Sequence, residues 1–215
     1  TNTPALATTI NESSTISNIT LSGQVKYTKT SNEGYGYGAI ARNINSSTIN
    51  TTTNMIDLRV ENSNSNNDIG GLFGKAVNST ILYSSNYGPV HSYHESGSGY
   101  ADNVGGLVGY MEGGRVGYSY NATSVLGNYA STSDLSSSQG TFYTGGLVGY
   151  MLGETAGIDN SYNSGMIKSG NKTNGSVSYA GGIVGYAESG LIDTCYNEGT
   201  VEALGKNPEY IITTT

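Results

Sequence analysis

The residues of this chain that could do chemistry fall into a few groups. Asp159 and Asp193 hold equivalent places in two copies of a repeated phrase, and so do Glu112 and Glu188. Carboxylates set on neighbouring turns could serve as general acid and base on a glycosidic bond, or could bind Ca2+. These acids recur with the repeat, however, whereas a catalytic group breaks a repeat once. No Asp-x-Asp cluster and no Arg or Lys partner marks a single turn, so they read as structural. His91 and His94 form a His-x-x-His beside Glu95. That spacing could hold a metal, but no third ligand pattern accompanies it, and two surface histidines are expected. Cys195 is the single cysteine, so no internal disulfide is possible. It aligns with Ser84, Ser119 and Ser161, which makes it a small packing residue rather than a nucleophile. The glycine-rich phrases could mimic phosphate loops, but no Lys-Ser/Thr and no helix follows them. The expectation is a non-enzyme with no cofactor and no metal.

The tyrosines are more suggestive. There are 18, against two Phe and no Trp. Tyr110, Tyr150 and Tyr186 share one repeat position; Tyr120, Tyr162 and Tyr196 share another. Stacked, they would form two ladders, offering apolar area plus hydroxyls to a glycan or a neighbouring subunit, or simply stiffening a sheet. Asn-x-Ser/Thr sequons stand at Asn11, Asn18, Asn45, Asn50, Asn78, Asn121, Asn171 and Asn174. They matter where exported proteins are glycosylated.

A repeated framework must position these groups. Gly70-Gly71-Leu72-Phe73-Gly74 returns as Gly105-Gly106-Leu107-Val108-Gly109, Gly145-Gly146-Leu147-Val148-Gly149 and Gly181-Gly182-Ile183-Val184-Gly185, after a degenerate copy at Gly38-Ala39-Ile40-Ala41-Arg42. The copies start 32, 35, 40 and 36 residues apart. A second phrase sets two aliphatics nine positions apart: Ile16/Val25, Ile49/Leu58, Ile81/Val90, Val116/Val125, Ile158/Ile167 and Ile192/Val201. Such a period signals a stacked array. The apolar residues alternate or come in short runs bounded by Gly, Asn and Ser, with no helical stripe. The fold class is therefore all-β, a parallel β-solenoid of about five to six coils with a period of roughly 32–40 residues. Ile40/Leu72/Leu107/Leu147/Ile183 and Ile16/Ile49/Ile81/Val116/Ile158/Ile192 should form core columns. Phe73, Val108, Val148 and Val184 alternate with the first column, and if they point outward they make an apolar strip. Insertions collect after the second aliphatic, the longest being Leu126 to Thr144.

The phrases Gly-Gly-Leu-Val-Gly-Tyr and Ile192-Asp-Thr-Cys-Tyr-Asn-Glu-Gly-Thr-Val201 resemble the GLUG-motif repeat of bacterial surface proteins, including adhesin-like proteins and immunoglobulin-A peptidases. The resemblance runs over roughly residues 14 to 205 and implies a non-catalytic module with an extracellular role, without naming a ligand. Composition agrees. Net charge is −7, and the nine Lys plus Arg form no cluster, which excludes a nucleic-acid partner. No apolar run reaches transmembrane length. The chain starts at Thr1 without a signal peptide, as a mature exported chain would.

The ends complete the expected layout. Residues 1–13 read as an extension outside the coils, 14–205 as the solenoid and 206–215 as a strand-prone tail. Ala5, Leu6, Ala7, Thr8, Thr9 and Ile10 at one end, and Tyr210, Ile211 and Ile212 at the other, are candidate assembly strands. The expected function is a subunit of an extracellular filament or surface layer, partnered with itself head to tail. The alternative is a monomeric adhesin module that binds glycans, and a polysaccharide-active β-helix enzyme ranks below both.

Overall fold

A computed structural model describes residues 3–29, 35–62, 66–94, 98–128, 139–170, 176–204 and 207–211. The chain is all β, and every strand pairing is parallel, one coil against the next. Three sheets run the length of the stack, each six layers deep. The first holds Ala7–Ile10, Ala41–Asn45, Phe73–Val77, Val108–Glu112, Val148–Leu152 and Val184–Ala187. The third holds Tyr35–Gly38, Asn67–Gly70, Ser98–Gly105, Gln139–Gly145, Val177–Gly181 and Asn207–Ile211. The wide second sheet joins them. Its first two layers are single strands, Thr15–Lys29 and Thr48–Asn62, and later layers break into shorter pieces such as Thr80–Leu82, Ser85–Asn86 and Val90–His94.

The aliphatic columns face inward as their spacing predicts. Ile40, Leu72, Leu107, Leu147 and Ile183 are all buried, as are Ile49, Ile81, Val116 and Ile158; Ile16 and Ile192, on the end layers, are partly covered. Val25, Leu58, Val90, Val125 and Ile167 line a second apolar cluster. The outward strip does not exist: Phe73, Val108, Val148 and Val184 are buried in the first cluster. Alternation fails here because the chain turns between the two residues. The amides of Leu72 and Phe73 both donate to the carbonyl of Leu107, at 2.9 and 3.0 Å, and those of Leu107 and Val108 both donate to that of Leu147. One carbonyl accepting two successive N–H groups marks a corner, and both side chains end up inside it.

The same signature corrects the N-terminal boundary. Leu6 and Ala7 both donate to the Ile40 carbonyl at 3.1 Å, and Ala7 and Ile10 pair with Ala41 and Ile44. Pro4-Ala5-Leu6-Ala7 is thus a corner copy without glycine, and Ala5 to Ile10 belong to the first coil. At the other end Asn207–Ile211, carrying Tyr210 and Ile211, forms the last strand of the third sheet. Ile212 lies outside the described residues.

Candidate functional site

Both tyrosine ladders form, on different faces. Tyr120, Tyr162 and Tyr196 stack along the wide sheet with centroids 4.9 and 5.0 Å apart and planes within 8°. This matches the strand spacing of a sheet. Tyr87 closes one end edge-on, its hydroxyl hydrogen-bonded to that of Tyr120. Tyr110, Tyr150 and Tyr186 stack at 5.6 and 5.3 Å beside the glycine corner, with Tyr143 and Tyr179 of the third sheet packed against them. Lys75 Nζ lies 4.7 Å above the Tyr110 ring. Within each ladder the ring faces are taken up by the neighbouring rung, and mainly edges and hydroxyls look outward. A sugar, which stacks on ring faces, finds them only at the ladder ends.

A third pair sits on a bend. Asn18, Thr51, Tyr83, Tyr118, Asn160 and Thr194 share one column of the wide sheet, all left-handed with φ between 48° and 57°. Bulky residues rarely hold this conformation. Here it turns the strand and throws Tyr83 and Tyr118 outward, 56% and 46% exposed, where they stack at 5.0 Å.

Beneath the ladders runs an asparagine spine that the sequence reading did not anticipate. Asn54, Asn86, Asn121 and Asn163 each donate Nδ2 to the Oδ1 of the next, ending on Asn197, at 2.7–3.0 Å. Asn86, Asn121 and Asn163 also donate to the carbonyls of Gly88, Thr123 and Gly165. These buried amides are therefore satisfied on all sides. The spine explains the second glycine of the corner: a methyl on Gly146 would strike the Gly182 carbonyl oxygen and stand 2.6 Å from Asn163 Cγ. A serine column runs parallel, with the amides of Thr52, Ser84 and Ser119 donating to the hydroxyls of Ser84, Ser119 and Ser161. Cys195 continues this column as a buried residue, and burial pushes its thiol pKa up. The packing expectation thus holds.

The carboxylates are engaged differently from expectation. Asp159 pairs in register with Asp193, but Arg115 grips it through two bonds of 2.6 Å and holds its pKa below the usual range. The cationic partner that the sequence reading found missing comes from the preceding coil. Glu112 and Glu188 are not neighbours, because Leu152 stands between them in their column. Glu188 accepts from the Tyr150 hydroxyl, and Glu112 lies 3.9 Å from Lys75. The histidines also depart from expectation. His91 is half-buried and burial lowers its pKa, while His94 is fully buried. Strand alternation carries Val90, Ser92 and His94 inward together. There Asp102 accepts from Ser92 Oγ at 2.6 Å and Asn67 Nδ2 at 2.7 Å and meets His94 Nε2 at 2.6 Å; the imidazole stacks on Tyr100. Glu95 lies outside the described residues.

Among the sequons, Asn11, Asn18, Asn45 and Asn78 are exposed and Asn50 is half-buried. Asn121 is fully buried in the spine, which removes it as a glycan acceptor in the folded chain. Asn171 and Asn174 lie outside the described residues. Among the described residues no cluster of three or more His, Cys, Asp or Glu is placed to hold a metal, and no helix is long and apolar enough to cross a membrane.

The family model of the GLUG motif matches residues 176–202. No curated protein and no solved structure matches the chain. The matched segment spans the fourth glycine corner and the Tyr196-Asn197 rung, and the preceding coils repeat both in register. The chain is a β-solenoid that carries a GLUG motif at residues 176–202.

Proposed function

We propose that this chain is a non-enzymatic structural module of an extracellular filament or surface layer, joined end to end through its outermost coils. One observation carries the reading. Most polar side chains that could do chemistry are engaged in ladders, ion pairs or buried contacts, whereas the last described coil leaves its ladders open. Leu191 is 64% exposed and Tyr196 45%. Among the described residues the spine ends at Asn197. The strand edges of the outermost described layers can template further pairing. A second copy laid on in ladder register would set Ile16 over Ile192, Val25 over Val201 and Lys26 over Glu202, continuing two apolar columns and adding an opposite-charge pair. It would also set Leu21 over Asn197, leaving one amide donor unpaired. Such a joint is heterologous and propagates. Ala5 to Ile10 enter it as a layer of the first coil, not as a donated strand. The extracellular placement rests on the GLUG likeness.

Electron microscopy and sedimentation over a concentration series test this. Rods should lengthen with concentration, and Leu191→Glu, at an exposed position, should return them to single units. A monodisperse chain at every concentration would sink the proposal. The adhesin reading rests on the exposed Tyr83, Tyr87 and Tyr118 of the wide face. Retention on an insoluble polysaccharide, lost in Tyr83→Ala with Tyr118→Ala, would favour it.

A further inference from the structure

We propose that Tyr150 and Tyr186 form an oxidative modification site. A one-electron oxidant of the haem-peroxidase class, working on hydrogen peroxide, joins their rings as dityrosine and staples the fifth coil to the sixth. The two rings stack at 5.3 Å with planes 26° apart, and Tyr143 packs on both, at 5.3 and 5.2 Å. The Tyr150 hydroxyl donates to Glu188 Oε2. Burial first, then that carboxylate, raises the phenol pKa, so the proton stays until an electron leaves. At the far end of the ladder the Lys75 ammonium over Tyr110 opposes loss of an electron from that ring. Oxidation is thereby biased toward the Tyr150 and Tyr186 end.

The chemistry balances. Tyr150 gives an electron to the oxidant and its phenolic proton to Glu188. Tyr186 gives an electron in the oxidant's second one-electron step and its proton to water, and Glu188 then passes its proton to water. The ortho carbons of the two phenoxyl radicals bond, and the hydrogens on those carbons move to the phenolic oxygens. Two hydrogens are lost from the protein, and peroxide takes up two electrons and two protons to become two waters. The Tyr120–Tyr162–Tyr196 ladder stacks as closely, at 4.9 and 5.0 Å, and Tyr196 is more exposed. Its hydroxyl contact is another phenol, that of Tyr87, and among the described residues no carboxylate accepts from it. The two ladders therefore separate proximity from proton acceptance.

The full chain is treated with a haem peroxidase and hydrogen peroxide, then mapped by peptide mass spectrometry and dityrosine fluorescence. The expected product is an intrachain Tyr150–Tyr186 cross-link, lighter by two hydrogens, with a raised Tm. Tyr150→Phe keeps the ring and should abolish the product. Glu188→Gln should slow its formation several-fold, and Tyr162→Phe should leave it unchanged. Cross-links that fall mainly on the other ladder, that form only between chains, or that do not form at all overturn the proposal, as does an unchanged rate in Glu188→Gln.

Discussion

The first two coils and the last four follow the same path by different means. The early layers cross the wide face as unbroken strands of 15 residues, Thr15–Lys29 on Thr48–Asn62. The later layers cross it in three short pieces. Where later coils set Tyr and Asn, the first coil sets Thr20 and Leu21. Where later corners need two glycines, the early ones read Pro4-Ala5-Leu6-Ala7 and Gly38-Ala39-Ile40-Ala41. In the second coil Asn54 sends its amide to the Gly71 carbonyl at 3.0 Å and to Asn86, not to its own strand, and Ala39 is accommodated. The inward aliphatics alone suffice to make a coil. The second glycine of the later corners follows from the next corner's carbonyl and the asparagine spine, which both press on it.

The sharpest way to break this contrast is a charge in the shared aliphatic column. Leu147→Asp buries an unpaired carboxylate in the core, costs several kcal/mol and should abolish the cooperative melt. Leu6→Asp, in the same column but 42% exposed, should cost about 1 kcal/mol or less. Equal effects would mean the columns are misassigned. Next in size is Gly146→Ala, whose methyl has backbone on one side and Asn163 on the other. It should cost about 3 kcal/mol by chemical denaturation, against about 1 kcal/mol for Ala39→Gly at the equivalent early position.

Asn121→Ala should cost about 2 kcal/mol, since it strands the buried amide of Asn86 and the Oδ1 of Asn163. The same change at Asn197, with one ladder partner, should cost less. The smallest effect concerns Asp68, near the boundary between the two regions. Burial lifts its pKa to about 6, with Asn103 and Lys75 opposing. The folded value lies above the unfolded one, so the charged form destabilises the fold above about pH 6 and the penalty fades toward pH 4. Asp68→Asn should therefore stabilise the chain at neutral pH by about 1–2 kcal/mol, with no gain near pH 4. A gain independent of pH would refute the assignment.

Much of the fold was legible because aliphatic spacing is what a parallel stack requires. The candidate site was legible only in part. The tyrosine columns were readable from Tyr110, Tyr150 and Tyr186, and from Tyr120, Tyr162 and Tyr196. The spine had an equally regular signal, an Asn following each rung position from Asn54 to Asn197, yet asparagine reads as a turn residue and its burial is invisible without the corner opposite. The first corner lacks glycine, so only Ala5-Leu6-Ala7 against Ala39-Ile40-Ala41 betrays it. His94 looked like a loop residue because its strand runs past the repeat's shared boundary. Asp159 looked unpartnered because its guanidinium, that of Arg115, is 44 residues away.

The stacking of coils also dictates how the rod answers a pull. Its backbone hydrogen bonds run between layers, along the axis, so axial load draws them apart instead of shearing them. A terminal layer is held on one side and yields first. Each layer of 32–40 residues then releases on the order of 100 Å of slack from a step of about 5 Å. Under tension the chain should therefore lengthen coil by coil.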